Sequence, residues 1–183
     1  MGSKKRTSKS DWFEAALQVL RDEGVTGVRV DRLARDLGTS RSGFYWHFEN
    51  RPDLLSQLLD FWLHEYTGVV VHNPELRSLE PRERLTQAAI MIFDHRLTAY
   101  DLSFHAWAAH DADVARRVRG VTRDRMEFIG GAFADLGFTG EELEMRTRLF
   151  VCYTMWERTT YPRVAKKHLR KLIAGRIKLL TSR

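Results

Sequence analysis

The sequence predicts an all-α protein, with an N-terminal three-helix head that carries a helix-turn-helix and a six-helix body behind it. Three observations lead there. Apolar residues recur at three- and four-residue spacing along most of the chain, the mark of helices with a buried face. There are only four prolines and few β-branched runs, which favours helix over strand. Residues 30–51, VDRLARDLGTSRSGFYWHFENR, read as two short helices joined by a tight turn. With 183 residues, 43% hydrophobic and 30% charged, the chain can bury a sizeable core and is globular, not disordered.

Helix one is expected over residues 11–23, capped by Ser10, with Trp12, Phe13, Ala16, Leu17 and Leu20 as its apolar stripe and Gly24 as its stop. Helix two covers 31–37 and turns Leu33, Ala34 and Leu37 inward. Ala34 is small enough for two helices to cross closely, and Gly38 can take the positive φ that the turn needs. Ser40 caps helix three over 41–48, where Phe44 and Phe48 face the core. Helix four starts at the Asn50 cap, holds Pro52 in its first turn and runs to about residue 70. It has apolar stripes on two sides, which suits a lever between head and body.

Residues 71–81 read as a loop. A helix over 81–98, a short one over 102–109 and a long one over 112–136 follow. Gly130 and Gly131 weaken the long helix, and close packing of a neighbouring helix is their expected use. Thr139 and Glu142 form a capping box for a helix that reaches about residue 161, where Pro162 breaks it. The last helix, 164–180, has an apolar face opposite a basic one.

The outward face of helix three carries Arg41, Ser42, Gly43, Tyr45, Trp46 and His47. Arg41 and Ser42 sit at the end that a helix-turn-helix points into the major groove, where Arg41 suits the acceptor edge of guanine. Gly43 lets backbone approach closely, and Tyr45, His47 and Arg51 can reach phosphates. Tyr45, Trp46 and His47 are also open to a reading as partial core, Trp46 above all. Three exposed aromatic groups in so short a stretch make a poor solvent face unless a partner covers them. The charge agrees. The net +6 is the sum of basic ends worth +12, residues 1–10 and 161–183, and a middle worth −6. Lys4, Lys5 and Arg6 form a basic arm suited to phosphates.

The run TSRSGFYWHFENRPDLL resembles the recognition helix and following segment of the TetR family of transcriptional regulators, and the likeness covers about the first 65 residues. Two positions depart from the family pattern. Val30 stands where relatives carry a capping, phosphate-touching Thr, so Arg29 or Arg32 would substitute, and polar Thr39 stands where an aliphatic is usual. The resemblance implies a DNA-binding head over 1–49, with its helix-turn-helix at 30–49, and a ligand-binding and dimerisation body over 50–183. It implies a homodimer that reads a palindromic operator, and release by a small apolar or aromatic effector. The last two helices would form the subunit interface through Leu149, Tyr153, Trp156, Leu169, Leu172, Ile173 and Ile177. Trp62, Tyr66, Phe93, Phe104, Trp107, Phe128 and Phe150 are candidate effector contacts, each also readable as core.

Other classes fit less well. No phosphate loop, HExxH or nucleophile elbow is present, so no enzyme is expected. His105, His110, Asp111 and Asp113 match no metal signature, so neither metal nor cofactor is expected. The single cysteine, Cys152, excludes an intrachain disulfide and fits a reducing, cytoplasmic setting. The N-terminus has no apolar signal core, and no run reaches the roughly 20 residues that cross a bilayer. The alternatives are a constitutive or architectural DNA-binding protein without effector and, further off, an enzyme or ligand carrier.

Overall fold

The computed structural model describes residues 7–160 and 165–182, and these form helices and turns with no strand among them. The basic arm, Lys4, Lys5 and Arg6, and the expected break at Pro162 lie outside the described residues. The chain divides into two compact units, Met1–Leu63 with Leu102–Arg116, and His64–Asp101 with Arg117–Arg183.

The first unit is built on α1, Lys9–Glu23. Its cap is Ser8 and not Ser10: Asp11 N–H donates to Ser8 Oγ at 3.2 Å, and Ser8 N–H donates to Asp11 Oδ2 at 2.6 Å. The acid three residues after Ser8 closes this reciprocal box, and nothing equivalent follows Ser10. Helix α2, Val30–Asp36, keeps the expected length but begins and ends one residue earlier, while α3, Arg41–Tyr45, stops three residues short of the expected 48. Between them Gly38, at φ 61°, makes a left-handed turn, with its N–H on Arg35 O and that of Thr39 on Ala34 O. The core is aromatic. Trp12 meets Phe44 edge-on at 5.4 Å, Phe13 stacks on Phe61 at 4.8 Å, and Phe44 and Phe48 lie 5.1 Å apart. Helix α4, Arg51–Trp62, is capped by Asn50 as expected and ends with Trp62 stacked 4.2 Å from Phe104 of the returning segment.

The second unit corrects several expectations. Helix four does not run straight to residue 70: Leu63–Gly68 is wound as a wider π-helix before Val69–Val71, α5, resumes the α form. The expected loop holds a helix, α6, Pro74–Ser78. Asn73 caps it through Leu76 N–H, Pro74 fills its first turn, and Leu76 is buried. Helix α7, Pro81–Asp94, ends four residues earlier than expected, because Arg96 takes a left-handed φ of 55° and Leu97 N–H bonds back to Ile92 O.

Helices α8, Asp101–Ala108, α9, Ala112–Asp135, α10, Gly140–Thr160, and α11, Lys166–Thr181, complete the chain. Helix α9 closes on Gly137 at φ 88°, with Phe138 N–H on Phe133 O and the two rings packed edge-on, the apolar contact that accompanies such a stop. The core of this unit gathers Val70, Leu85, Phe93, Phe128, Phe133, Phe150, Ile173 and Ile177 among others.

The glycine pair of α9 is not demanded by packing. A Cβ on Gly130 would rest on Thr147 at an ordinary 3.5 Å, and one on Gly131 would meet nothing within 4 Å. Gly131→Ala should therefore raise stability by about 1 kcal/mol through helix propensity, read as a higher urea midpoint at unchanged slope. An unchanged or lower midpoint would contradict this account.

Candidate nucleic-acid interface and body cavity

Helix α3 presents the face that the sequence assigned to DNA. Tyr45 and Trp46 are 56% and 75% exposed, so the alternative of Trp46 as partial core is wrong. Phe44 holds the helix from below with no exposure at all. The Arg41 guanidinium is exposed and rests on Asp31 with Nε 2.9 Å from Oδ1, an ion pair in water that is cheap to open. Ser40 occupies the cap position but its hydroxyl lies 2.7 Å from Ser42 Oγ, so it does not cap the backbone as expected. Gly43 lies close beneath the Thr39 side chain. A Cβ there would come within 3.0 Å of Thr39 Oγ1, so Thr39 leans over it from the turn.

The other head candidates have local partners. His47 Nε2 lies 3.1 Å from Thr7 O, which ties the residue following the basic arm to the end of helix α3. Arg32 pairs with Asp36 at 2.6 Å and Glu23 at 3.0 Å, and the hydrogen bond to Asp36 raises its pKa above the usual guanidinium value. Arg51 departs most from expectation. Its Nε donates to Val28 O and its Nη2 to Val25 O, both at 2.6 Å, so the group assigned to phosphate is engaged with the head's own backbone. Helix α2 has Arg29 at its cap position with no side-chain hydrogen bond, so the capping that Thr provides in relatives is not replaced by a neighbouring side chain.

The body holds a small cavity of about 30 Å³. Tyr66 and Thr67 reach it from the π-helix, Phe128 and Arg125 from α9, and Phe150 and Met155 from α10. Three of the aromatic effector candidates thus come together, Tyr66, Phe128 and Phe150. Phe93 lines a separate groove, while Trp62, Phe104 and Trp107 belong to the other unit and its ring stack. The sequence reading missed the polar centre of this wall. Arg125 donates from Nη1 to Asp101 Oδ2 at 2.5 Å and from Nη2 to Oδ1 at 3.2 Å, while its Nε and Nη2 also donate to Thr67 Oγ1. Asp101 is only 3% exposed.

The apolar stripe of α10 is open to solvent. Met145, Leu149 and Trp156 are exposed, and Cys152 lies between them at helical spacing. Beside it runs a groove of about 220 Å³ bordered by Leu149, Tyr153, Leu179 and Leu180. Two residues assigned to the subunit interface, Ile173 and Ile177, are buried in the chain's own core, where α11 packs on α7, and they also line this groove. No described helix is long and apolar enough to cross a membrane, and the described residues contain no cluster of metal-ligating side chains.

Residues 13–58 match the sequence model of the bacterial regulatory proteins of the tetR family. The tetracycline repressor protein class C of Escherichia coli is 42% identical over 51 residues, which are 28% of this chain and 23% of the repressor. The chain spans about a quarter to a third of the length of the curated relatives it matches. Solved structures match along the whole chain at low identity, which establishes the fold. FadR of Bacillus subtilis in complex with stearoyl-CoA has a TM-score of 0.66 at 15% identity, covering 96% of this chain and 98% of its own. AibR in complex with isovaleryl coenzyme A and operator DNA has a TM-score of 0.68 at 15% identity, covering 94% and 97%.

Proposed function

We propose, from the premise that the chain is a TetR-family transcriptional regulator, that it is a repressor that binds a palindromic operator as a homodimer and is released by a small apolar effector in its body. The observation that carries DNA reading is the face of α3: Arg41, Ser42 and Tyr45 stand outward on a helix pinned by Phe44. Arg41 is the proposed base reader, with Tyr45, Trp46, His47 and the arm of Lys4, Lys5 and Arg6 on the backbone. Arg51 and Arg32 are assigned instead to holding the head together, because each has partners within it. Arg41→Ala should weaken binding to the protein's own upstream DNA by roughly 10- to 100-fold, a loss of about 1–3 kcal/mol, with an unchanged circular dichroism spectrum. Operator affinity equal to that of the parent would remove Arg41 from the readout.

The dimer reading rests on the stripe of Met145, Leu149, Cys152 and Trp156 with the adjoining groove, an apolar face that a second copy would cover. A two-fold arrangement would hold two α3 helices at half-sites roughly 34–36 Å apart. Sedimentation at micromolar concentration should give a dimer, and Trp156→Glu should shift it to monomer by burying a charge at that face. A monomer before substitution contradicts the reading.

Two neighbours of this fold hold acyl-CoA esters, which supports a small-molecule site in such a body. A second reading, a regulator without effector, is favoured by how small the cavity is at about 30 Å³. The measurement that separates them is a change in operator affinity on adding a compound that binds the body.

A further inference from the structure

The body cavity has one ionised side chain among its lining residues, Arg125, and that charge is neutralised before any ligand arrives. The guanidinium fork faces the nearly buried carboxylate of Asp101 with two hydrogen bonds and the Thr67 hydroxyl with two more. The Tyr66 ring also lines the space, and the two remaining threonine hydroxyls are taken up by backbone carbonyls. Thr98 Oγ1 donates to Thr154 O, and Thr154 Oγ1 donates to the carbonyls of Phe150 and Val151. The rest of the wall is aliphatic or aromatic, including Val70, Ile92, Ile129 and Met155.

An anion entering this space has two options, both unfavourable. It can take donors from Arg125, which leaves Asp101 buried with its countercharge shared, or it can sit against apolar wall without a partner. A cation fares no better, since no carboxylate stands among the described lining residues and that of Asp101 is already bidentate to Arg125. An uncharged molecule disturbs neither. We propose that this cavity admits an uncharged, largely apolar molecule and that the Asp101–Arg125 pair excludes the corresponding carboxylate. This inference rests on the effector reading above. At about 30 Å³ the cavity has room for only one or two waters, so an occupant must displace part of the wall. Met155, partly buried and unbranched, is the side chain best able to yield, and the π-helical turn at Tyr66 and Thr67 is the backbone best placed to follow.

The test uses the full-length protein and matched probes that differ only in charge: methyl octanoate against octanoate, and methyl 2-naphthoate against 2-naphthoate. Binding is read by calorimetry without DNA. The esters should bind at least tenfold more tightly than the acids. Asp101→Asn, which leaves Arg125 uncompensated, should shift that preference at least tenfold toward the acids. Should Asp101→Asn not fold, the comparison on the unaltered protein decides by itself. Acids that bind as well as or better than their esters overturn the proposal, as does a panel in which no ester binds or a folded Asp101→Asn with unchanged preference. An ester that binds but leaves operator affinity unchanged overturns the effector reading and leaves the cavity assignment intact.

Discussion

Replacing Arg125 by Met should lower the stability of the protein by about 3–5 kcal/mol, because the substitution strands the Asp101 carboxylate, which is only 3% exposed. The arginine side chain is itself 13% exposed and bonds both Asp101 and Thr67, so water cannot readily take its place. The companion experiment is more telling than the loss. The double substitution Arg125→Met with Asp101→Leu removes both charges and fills the space with apolar atoms of similar size. It should recover most of the stability, since a buried pair gains little over well-packed hydrophobic residues. Urea unfolding of the two single variants and the double one gives the coupling directly. Additive single losses would mean the pair is not the unit described here.

Phe44→Ala should cost about 3–5 kcal/mol and abolish operator binding, although Phe44 itself never faces DNA. Its ring touches those of Trp12, Tyr45 and Phe48, and it is fully buried beneath the exposed face of α3. Helix α3 has only five residues and too few hydrogen bonds of its own to persist without that anchor. Operator binding that survives in Phe44→Ala, measured by anisotropy at the parent's salt concentration, would show that α3 is held in some other way.

Much of the head could be read from sequence because its determinants are local. The glycine stop at Gly38, the paired Phe44 and Phe48, and the outward Tyr45 and Trp46 lie within a dozen residues and follow from helical period and turn chemistry. What sequence missed falls into two kinds. Some signals were present but outranked: Ser8 with Asp11 is a better capping box than Ser10 offers, and Asn73-Pro74-Glu75 is a helix start that two prolines disguised as a loop. Others join distant residues and leave no periodic trace. Arg51 reaches back to Val25 and Val28, Arg125 to Asp101 and Thr67, and Ile173 and Ile177 turn toward α7. An apolar face on a terminal helix says that something covers it. Whether the cover is the same chain or a second copy is decided by packing that no single-helix pattern contains.

Thr39 and Gly43 have a bearing on how the reading head could be rewritten. Helix α3 invites respecification by exchange of its outward residues one at a time, and position 43 is central to that surface. The 3.0 Å approach of Thr39 Oγ1 means that a Cβ introduced at 43 requires the Thr39 side chain to give by a few tenths of an ångström. Positions 39 and 43 are therefore coupled through this contact. If α3 reads DNA as proposed, a library that varies residue 43 should shorten residue 39 in the same clone.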